Sequence, residues 1–419
     1  MEADYHFHKN LFLWKHCCVG IADYNNYIYQ NNFAVKKLAF FFTLFFSCFL
    51  HAQNDFCSIR ISLLTCTPGQ ELYSTFGHSA IRVTDPRNNT DIIFNYGTFD
   101  FDDPGFYSKF TRGKLLYFVS VDSLQNFLAE YEYFQRGVIE QVLHLSCTEK
   151  EKMVAALFEN AKEENKYYRY DFTYDNCTTR LRDMLEKATG DSLQAKNILP
   201  AQGTTFRNLI HEYLHKGNQY WSQFGIDILL GSPLDKKISN REAMFLPDYL
   251  LKGFDSAQLH NRPLVIQTNT LIPAQPIKED KSFFTPFVVF SILFLVITIL
   301  SFLLQHKASI FLKSFDVFFF LLLGLLGLLL LFMWFGTSHL MTKNNYNLVW
   351  ALPTHLTAAL FLFSKKKWVL HYFRFLFFYT IALLAAWFLL PQQMNIALLP
   401  LMSIILVRSY FISKKLTVE

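Results

Sequence analysis

Apolar and polar residues alternate along much of the first half of the chain. The clearest runs are SIRISLLTC (58–66), GHSAIRVTD (77–85), DIIFNYGTFDF (91–101) and KLLYFVSVD (114–122). A period of two is typical of half-buried strands, and Pro, Gly and Asn separate these runs, so we predict four β-strands. Residues 123–135 and 148–165 have helical spacing, with a fifth strand, VIEQVLHL, between them. The pattern predicts one α+β domain, which we place at residues 54–262.

A different pattern begins near residue 283, where long apolar runs replace the alternation. These runs cover residues 283–304, 315–336, 347–364, 372–390 and 394–412. Each run is long enough for a tilted membrane-spanning helix, so we predict an all-α bundle of about five transmembrane helices over residues 283–419. The polar, Pro- and Gln-bearing residues 263–282 are predicted to be a linker between the two domains.

Basic residues of this second section are concentrated in alternate loops. Lys307 and Lys313 lie between the first two runs, residues 365–367 are lysines that follow the third run, and Lys414 and Lys415 follow the last. Cytoplasmic loops carry such an excess of Lys and Arg. We therefore expect a cytoplasmic C-terminus and an α+β domain on the periplasmic face of the inner membrane of a bacterium.

The start of the chain has the features of an export signal. VKKLAFFFTLFFSCFLHAQ (35–53) combines two lysines, an apolar run and an end with small residues, which predicts a cleaved signal peptide. Residues 1–34 are then interpreted as an incorrectly assigned start, with Val35 as the initiator. The alternative is a genuine N-terminal extension. The signal peptide agrees with the periplasmic location inferred from the basic loops.

Composition supports a membrane protein and gives no indication of a nucleic-acid partner. Hydrophobic residues make up 52% of the 419 residues, aromatic residues 17%, and Phe alone occurs 46 times, while the net charge is a modest +5. The cysteines form no CxxC motif and no zinc-ligand spacing, so we predict neither a metal nor a cofactor. Once exported, the chain can form at most one disulfide among Cys57, Cys66 and Cys147 if Cys177 is a free nucleophile.

The candidate chemistry centres on the stretch YDFTYDNCTTRLRD (170–183). Cys177 stands where a helix is predicted to begin, and the unpaired N–H groups and dipole of a helix N-terminus favour a thiolate and can hold an oxyanion. His78, at the mouth of the second strand, is the best candidate for its base. A histidine strand that precedes an Asn-Cys helix start is the order of circularly permuted papain-like enzymes, so we predict that fold for the α+β domain.

Several residues are candidates for supporting this pair. We expect Asn95, on the neighbouring strand, to orient the imidazole, with Glu71 and Asp175 as rivals. Asp175 is alternatively a cap of the helix, and Asn176 is predicted to support the oxyanion pocket. Taken singly, a histidine on a strand and a buried cysteine are more often structural than catalytic, and a zinc site at this pair is less favoured. Their order and local structure together favour catalysis.

Other polar residues are weaker candidates. Arg180 and Arg182 are predicted to be solvated or to pair with Asp183, the alternative being that one of them contacts a phosphate. His339 and Asn344, in the loop TSHLMTKNNYNLVW (337–350), are candidates for contacts with lipid headgroups, the alternative being an ordinary interfacial loop. The pair in HEYLH (211–215) only loosely resembles a metalloprotease motif.

Three motifs of the predicted exported domain resemble a known family. LLTCTPGQELYSTFGHSAIRV, FNYGTFDF and YDFTYDNCTTRLRD are similar to the periplasmic domain of the Lnb family of lipoprotein N-acyltransferases, and the likeness extends from about residue 58 to about residue 190. The order of domains, with several membrane helices last, is similar too. The resemblance implies a papain-like domain that carries out acyl transfer beside the membrane.

The resemblance also implies the substrates. Cys177 would attack an ester of a membrane phospholipid to form a thioester, with His78 as the base, and the α-amine of a diacylglyceryl-cysteine lipoprotein would accept the acyl group. Because the amine must be neutral, we expect activity to fall at acid pH. Two other classes stay open: a membrane-anchored cysteine amidase or peptidase acting on cell-wall peptides, and a non-catalytic membrane assembly factor.

Overall fold

The computed structural model describes most of the chain after the predicted signal peptide. The described residues are 57–190, 193, 195–275, 282–304, 310–364 and 366–414. The predictions for residues 1–34 and for the signal peptide at 35–53 lie outside the described residues.

The periplasmic part is built on one antiparallel sheet of seven strands. The strands in the described residues are β1 (Arg60–Cys66), β2 (His78–Asp85), β3 (Thr90–Thr98), β4 (Leu116–Ser123), β5 (Val138–Leu143), β6 (Tyr167–Arg169), β7 (Gln258–Leu259), β8 (Arg262–Pro263) and β9 (Val265–Ile272). The order across the sheet is β6-β4-β3-β2-β1-β5-β9, and β7 and β8 pair separately. All five strands predicted from alternation are confirmed.

Eight helices of the described periplasmic part pack around this sheet. They are α1 (Phe106–Thr111), α2 (Leu124–Tyr133), α3 (Cys147–Ala161), α4 (Cys177–Thr189), α5 (Phe206–Lys216), α6 (Tyr220–Leu229), α7 (Asn240–Ala243) and α8 (Pro247–Ser256). The helices α2 and α3 confirm the two predicted from spacing. Together with the sheet, these helices confirm the α+β class of the domain.

The sheet is covered on both faces because its central strands are apolar on both faces. In β1, Ile61 and Leu63 join the main core with α3, α4, α5 and α8, whereas Leu64 and Cys66 pack with residues of α2 on the opposite face. Successive side chains of a strand point to opposite faces, which explains this division. The helix α4 therefore lies against β2 and β3, where the candidate site is found.

The predicted linker begins later than residue 263. Residues Val265–Ile272 are β9, which pairs with β5 at one edge of the sheet. This stretch was predicted to belong to the linker because it is polar, with Gln267, Thr268 and Asn269 in succession. An edge strand exposed to solvent tolerates such residues, so polar composition did not distinguish it from a linker.

The membrane part contains five helices in the described residues: α9 (Pro286–Leu303), α10 (Ile310–Phe335), α11 (Thr354–Leu360), α12 (Lys367–Ala385) and α13 (Leu398–Lys414). By length and apolar composition, α9, α10 and α12 are long enough to cross a membrane. The apolar runs predicted at 283–304 and 315–336 contain α9 and α10. The runs at 372–390 and 394–412 overlap α12 and α13.

The third apolar run, 347–364, was wrongly predicted to be one long helix. A short 3₁₀ turn at Tyr346–Val349 is followed by Pro353 and then by the seven-residue α11. Proline lacks an N–H and disfavours a helical conformation in the residue before it, so the run is broken at this point. In addition, Asn347 lies in the 3₁₀ turn, where its side chain forms hydrogen bonds with carbonyls of the periplasmic domain.

The membrane part caps one helix of the periplasmic part. The carbonyl of Asp227 accepts a hydrogen bond of 2.8 Å from Asn347 Nδ2, and those of Ile228 and Leu229 accept bonds of 2.7 and 3.1 Å from Asn345 Nδ2. These carbonyls belong to the last turn of α6, where a helix leaves its C=O groups without internal partners. Both asparagine side chains are buried. This cap holds the periplasmic domain against the membrane helices.

Candidate active site

The cysteine-bearing helix begins at a tightly bonded turn. The backbone groups of Asp171 and Asp175 bond to each other in both directions at 3.0 Å, and Asp171 Oδ1 accepts hydrogen bonds from the N–H groups of Thr173 and Tyr174. Asn176 follows in an extended conformation and caps α4, so that Cys177 is the first helical residue. The sequence prediction for the start of this helix is therefore confirmed.

The side-chain amide of Asn176 forms four hydrogen bonds at the start of α4. Its Oδ1 accepts hydrogen bonds from the N–H groups of Thr178 and Thr179 at 2.9 and 2.8 Å. Its Nδ2 donates to the carbonyls of Phe172 and Phe245 at 2.7 and 2.8 Å. Both amide hydrogens are therefore engaged, so Asn176 supports the start of the helix as its cap and has no amide hydrogen left to donate to an oxyanion.

His78 begins β2 and faces both Asn95 and Cys177. The distance from His78 Nε2 to Asn95 Oδ1, on β3, is 2.5 Å. An amide oxygen only accepts, so Nε2 carries the proton of this bond and Nδ1 is the nitrogen left for the thiol. The side chains of His78 and Cys177 also lie close enough for each to shift the pKa of the other. The structure thus brings together the three residues predicted to be catalytic.

Gly97 lies next to Cys177, His78 and Tyr170. It lies in a β-bulge of β3 and has a φ of +94°, a conformation that favours glycine. A Cβ built on Gly97 would lie 3.6 Å from Cys177 Cβ, 3.8 Å from Tyr170 Cε2 and 4.0 Å from His78 Cε1. The absence of a side chain at Gly97 therefore leaves a space of about one methyl group between cysteine, histidine and tyrosine.

The surroundings of Cys177 favour its thiolate. Burial alone would raise the pKa of this thiol, but the charge of His78 and the hydrogen bond to His78 outweigh burial and lower the pKa to about 7. Burial would likewise lower the pKa of His78, yet attraction to the Cys177 thiolate and hydrogen bonds with Cys177 and Asn95 raise it above its usual value. The two shifts have the directions expected for a thiolate–imidazolium pair.

Two further groups that sequence analysis missed contact the sulfur. The hydroxyl of Thr178 lies 3.5 Å from Cys177 Sγ, and the backbone N–H of Ser79 is near enough to affect the pKa of this thiol. Both contacts lower the pKa of Cys177. Ser79 follows His78 directly in the GHS motif, but only the pairing of strand and helix shows that its N–H faces the sulfur.

The two rivals of Asn95 do not contact the imidazole. Glu71 has an exposed side chain, and its carbonyl accepts hydrogen bonds from Ser74 and Thr75. Asp175 pairs with Arg180 through two hydrogen bonds of 2.6 and 2.9 Å. Asp175 therefore neither orients His78 nor caps α4, since the cap is Asn176.

The two arginines of α4 have protein partners. Besides pairing with Asp175, the Arg180 guanidinium lies 3.5 Å from the centre of the Tyr168 ring. Arg182 bonds to Asp183 at 2.8 Å and to the carbonyl of Arg241. The predicted pairing with Asp183 is confirmed for Arg182, whereas Arg180 pairs with Asp175 instead and stacks on Tyr168, so its charge is not free to meet a phosphate.

The predicted headgroup residues lie where the membrane part meets the periplasmic domain. His339 Nε2 donates to the carbonyl of Phe110 at 3.1 Å, and the carbonyl of the exposed Asn344 accepts a bond from Ser232 N–H. The neighbouring Asn345 and Asn347 form the cap of α6 described above. This segment therefore joins the domains, and His339 lines a cavity between them.

The remaining candidates occupy structural positions. His211 bonds to the buried Asp227, which also pairs with Arg207.

Within the described residues, no group of three or more His, Cys, Asp or Glu side chains is arranged to hold a metal ion. Among the described residues, Cys57, Cys66, Cys147 and Cys177 form no disulfide bond. Burial and a hydrogen bond with Cys147 raise the pKa of Cys57.

Comparison with known protein families identifies both parts of the chain. Residues 46–212 match the family model described as the Lnb N-terminal periplasmic domain, and residues 278–417 match that of the Lnb transmembrane domain. No match was found among curated proteins or among solved structures. A periplasmic domain followed by a transmembrane domain fits a protein of the inner membrane, and the two Lnb domains indicate one that acts in lipoprotein biosynthesis. The chain belongs to the Lnb family.

Proposed function

We propose that this protein is a lipoprotein N-acyltransferase that uses Cys177 as its nucleophile. The observation that carries the proposal is the meeting of Cys177, His78 and Asn95 at the start of α4, in a chain that also has the Lnb transmembrane domain. A thiol paired with an imidazole that is itself oriented by a third group is the arrangement of a nucleophilic enzyme.

The first half of the reaction loads the cysteine. The Cys177 thiolate attacks the carbonyl carbon of a phospholipid ester, and the C–S bond forms as the ester C–O bond breaks. The leaving alkoxide of the lysophospholipid takes the proton held by His78. Because Asn176 binds the N–H groups of Thr178 and Thr179, we assign the oxyanion to the backbone N–H of Cys177.

The second half transfers the acyl group to the lipoprotein. The neutral α-amine of the diacylglyceryl-cysteine attacks the thioester, the C–N bond of an amide forms, and the C–S bond breaks to restore the thiolate. His78 accepts the proton that the amine loses. A position beside the membrane suits both substrates, and keeping water out of the site protects the thioester from hydrolysis.

The proposal includes a circularly permuted papain-like fold for the periplasmic domain. Its support is the packing of the Cys177 helix against an antiparallel sheet whose strands β2 and β3 carry His78 and Asn95. The histidine strand precedes the cysteine helix in the chain, which is the reverse of the usual papain order. Cysteine on a helix tip and imidazole on the facing sheet is the geometry that such a permutation preserves.

We further propose that the membrane part crosses the bilayer about five times and ends in the cytoplasm. Besides the three helices α9, α10 and α12, the seventeen-residue α13 and the broken segment around α11 would complete these crossings. The lysines of alternate loops support a cytoplasmic C-terminus. This orientation places Cys177 and the acyl donors of the outer leaflet on the same side.

The function is tested by mass spectrometry of lipoprotein N-termini. In a strain that depends on this protein for N-acylation, replacement by Cys177→Ser is expected to abolish the amide-linked acyl chain, because an un-ionised hydroxyl is a far weaker nucleophile than a thiolate. Cys57→Ser, which changes another exported free thiol, is the matched control and is expected to retain N-acylation.

The possible outcomes separate the candidate functions. Immunoblotting first verifies that both variants accumulate as the wild type does. Persistence of N-acylated lipoprotein in the Cys177→Ser strain contradicts the acyltransferase. Altered cell-wall muropeptides with normal lipoproteins would instead indicate a thiol amidase, and no change in either would indicate a non-catalytic assembly factor.

A further inference from the structure

A cavity of about 280 Å³ lies between the periplasmic domain and the segment that follows α10. Its wall is mostly apolar and aromatic, with Phe76, Leu115, Ile226 and Leu230 on the periplasmic side and Leu340 on the membrane side. Cavities of this kind, apolar and open to one side, are typical sites for hydrophobic ligands. An engineered apolar cavity of about 150 Å³ in another protein stays dry and binds benzene.

Several polar groups of the wall are already engaged by the protein. Asp171 Oδ1 accepts three hydrogen bonds, from the N–H and hydroxyl of Thr173 and from the N–H of Tyr174. His339 Nε2 bonds to the carbonyl of Phe110, and Ser338 N–H donates to the carbonyl of Arg112. A polar ligand would therefore find few free partners, whereas a hydrocarbon chain loses nothing by entering.

The cavity opens where lipids are available. The segment 338–341, which contributes part of the wall, follows within a few residues the end of α10 at Phe335, and α10 is long and apolar enough to span the membrane. Three lining residues are also exposed large apolar side chains: Leu72, Phe110 and Leu340 are 46%, 50% and 44% exposed. The apolar surface thus continues from the cavity to its rim beside the bilayer.

The opposite end of the cavity approaches the nucleophile. Tyr170 forms part of the wall, where its ring stacks on that of Tyr117 with centroids 4.4 Å apart. The same Tyr170 ring borders the space at Gly97, whose other neighbours are Cys177 and His78. Tyr170 therefore borders both the apolar cavity and the space at Gly97 beside Cys177.

We propose that this cavity binds the hydrocarbon tail of the acyl group that Cys177 carries. The inference rests on the proposed acyltransferase function and names the part of the substrate that the cavity takes. The carbonyl of the thioester would lie at Gly97 and Cys177, and the tail would run past Tyr170 toward Ile226 and Leu340. Cavity depth would then set which acyl lengths are transferred.

Narrowing the cavity tests the proposal. Ile226→Trp adds volume to the wall from α6, and we expect the amide-linked chains of lipoproteins to become shorter by two or more carbons than with the wild type. Gly225→Leu adds a side chain one residue earlier on α6, where a built Cβ meets nothing within 4 Å, and is expected to leave chain lengths unchanged. Mass spectrometry of the modified N-terminal peptide gives amide-linked and ester-linked lengths together.

The outcomes distinguish this proposal from the function on which it rests. A wild-type protein that adds no amide-linked chain contradicts the function itself. An active Ile226→Trp variant with an unchanged distribution of amide-linked lengths overturns the cavity assignment alone. An unchanged amide distribution with a shift to shorter ester-linked chains would mean that the cavity holds a chain of the lipoprotein acceptor, which also overturns it.

A second variant keeps the test decisive if Ile226→Trp does not accumulate. Leu340→Trp enlarges a rim residue that is 44% exposed, so folding is expected to tolerate it. We expect the same shortening of amide-linked chains, in smaller degree because the rim side chain can turn outward. Wild-type lengths in a stably accumulating Leu340→Trp variant would then count against the assignment.

Discussion

Two buried cysteines show how strongly the immediate neighbours of a thiol determine its chemistry. Burial raises the pKa of Cys66 to about 12, whereas the pKa of the equally enclosed Cys177 is lowered to about 7. At Cys177 the charge of His78 and hydrogen bonding outweigh burial, whereas at Cys66 the hydroxyl of Tyr131 and the charge of Arg136 lower the pKa too little to offset burial. Burial therefore favours the neutral thiol, and the charge of His78 reverses that preference at Cys177.

The reactivity of Cys177 toward an alkylating reagent is predicted to follow this lowered pKa. Because the thiolate is the reactive form, the alkylation rate of wild-type Cys177 should fall as the pH drops through about 7 and level off above it. In His78→Ala the burial penalty remains without its compensation, so the midpoint should move above the ordinary thiol pKa of about 8.5. Peptide mass spectrometry across a pH series measures the rate at Cys177 alone.

The outcome of this titration bears directly on the pair. A wild-type midpoint at the ordinary thiol value would contradict the thiolate–imidazolium assignment. The rate of acyl transfer should also fall at acid pH, because protonation of the Cys177 thiolate and protonation of the acceptor amine both slow the reaction. Both effects lower activity as the pH falls.

At the scale of single elements, the position of the sulfur depends on how α4 begins. Asn176 joins four backbone groups: two N–H groups of the helix and the carbonyls of Phe172 and Phe245. The last of these lies immediately before α8, so the cap also ties α4 to a distant segment. A helix N-terminus held in this way keeps the thiol at a constant distance from the sheet that carries His78.

Removal of the Asn176 cap is predicted to lower the free energy of unfolding more than removal of an ordinary helix cap does. Asn176→Ala leaves two helix N–H groups and two buried carbonyls without partners, so the free energy of unfolding should fall by about 2–3 kcal/mol. Ser146→Ala removes the cap of α3, away from the site, and should cost about 1 kcal/mol. Thermal unfolding in detergent compares the two.

The two caps should also differ in their effect on the thiol. Alkylation of Cys177 is expected to slow in Asn176→Ala, because the helix start shifts relative to His78, and to be unchanged in Ser146→Ala. Equal effects of the two substitutions, on stability and on alkylation, would show that the Asn176 cap has no special role in the site.

At the scale of the whole molecule, the membrane helices are joined by a buried ion pair. Arg408 of α13 donates to both carboxylate oxygens of Asp316 of α10 at 2.6 and 2.7 Å and to the hydroxyl of Ser301 of α9 at 2.6 Å. Ser301, Asp316 and Arg408 are 5% exposed or less. Charges within a membrane segment are costly unless paired, so this pair connects three helices.

Breaking the pair on one side is predicted to destabilise the protein strongly. Arg408→Leu removes the guanidinium that pairs with the buried Asp316 carboxylate and should cost about 3–5 kcal/mol, whereas the double variant Asp316→Leu/Arg408→Leu should recover most of that loss. Arg374→Leu, at an exposed position of α12, is the matched control and should have little effect. Accumulation and thermal unfolding in detergent give the comparison, and a double variant no more stable than Arg408→Leu would contradict the prediction.

Most of the candidate site could be predicted because its residues lie in short sequence patterns that indicate strands and a helix start. Alternation placed His78 and Asn95 on adjacent strands, and the Asp-Asn turn before Cys177 marked a helix start, so the three residues were expected together. The use of Asn176 as a cap, the contact of Ser79 with the sulfur and the pairing of Asp175 with Arg180 could not be predicted. Each depends on contacts between residues whose distances the pattern along the chain does not encode.

The class of each domain, five strands of the sheet, the start of α4 and the membrane nature of the second part were predictable, because they follow from the period of apolar residues and from short-range backbone chemistry. The folded structure was needed to show that the polar residues 265–272 complete the sheet, that the apolar run 347–364 is broken, and that Asn345 and Asn347 cap α6. An edge strand and an interdomain cap take their hydrogen-bond partners from distant parts of the chain. Their stability therefore depends on packing that local sequence does not specify.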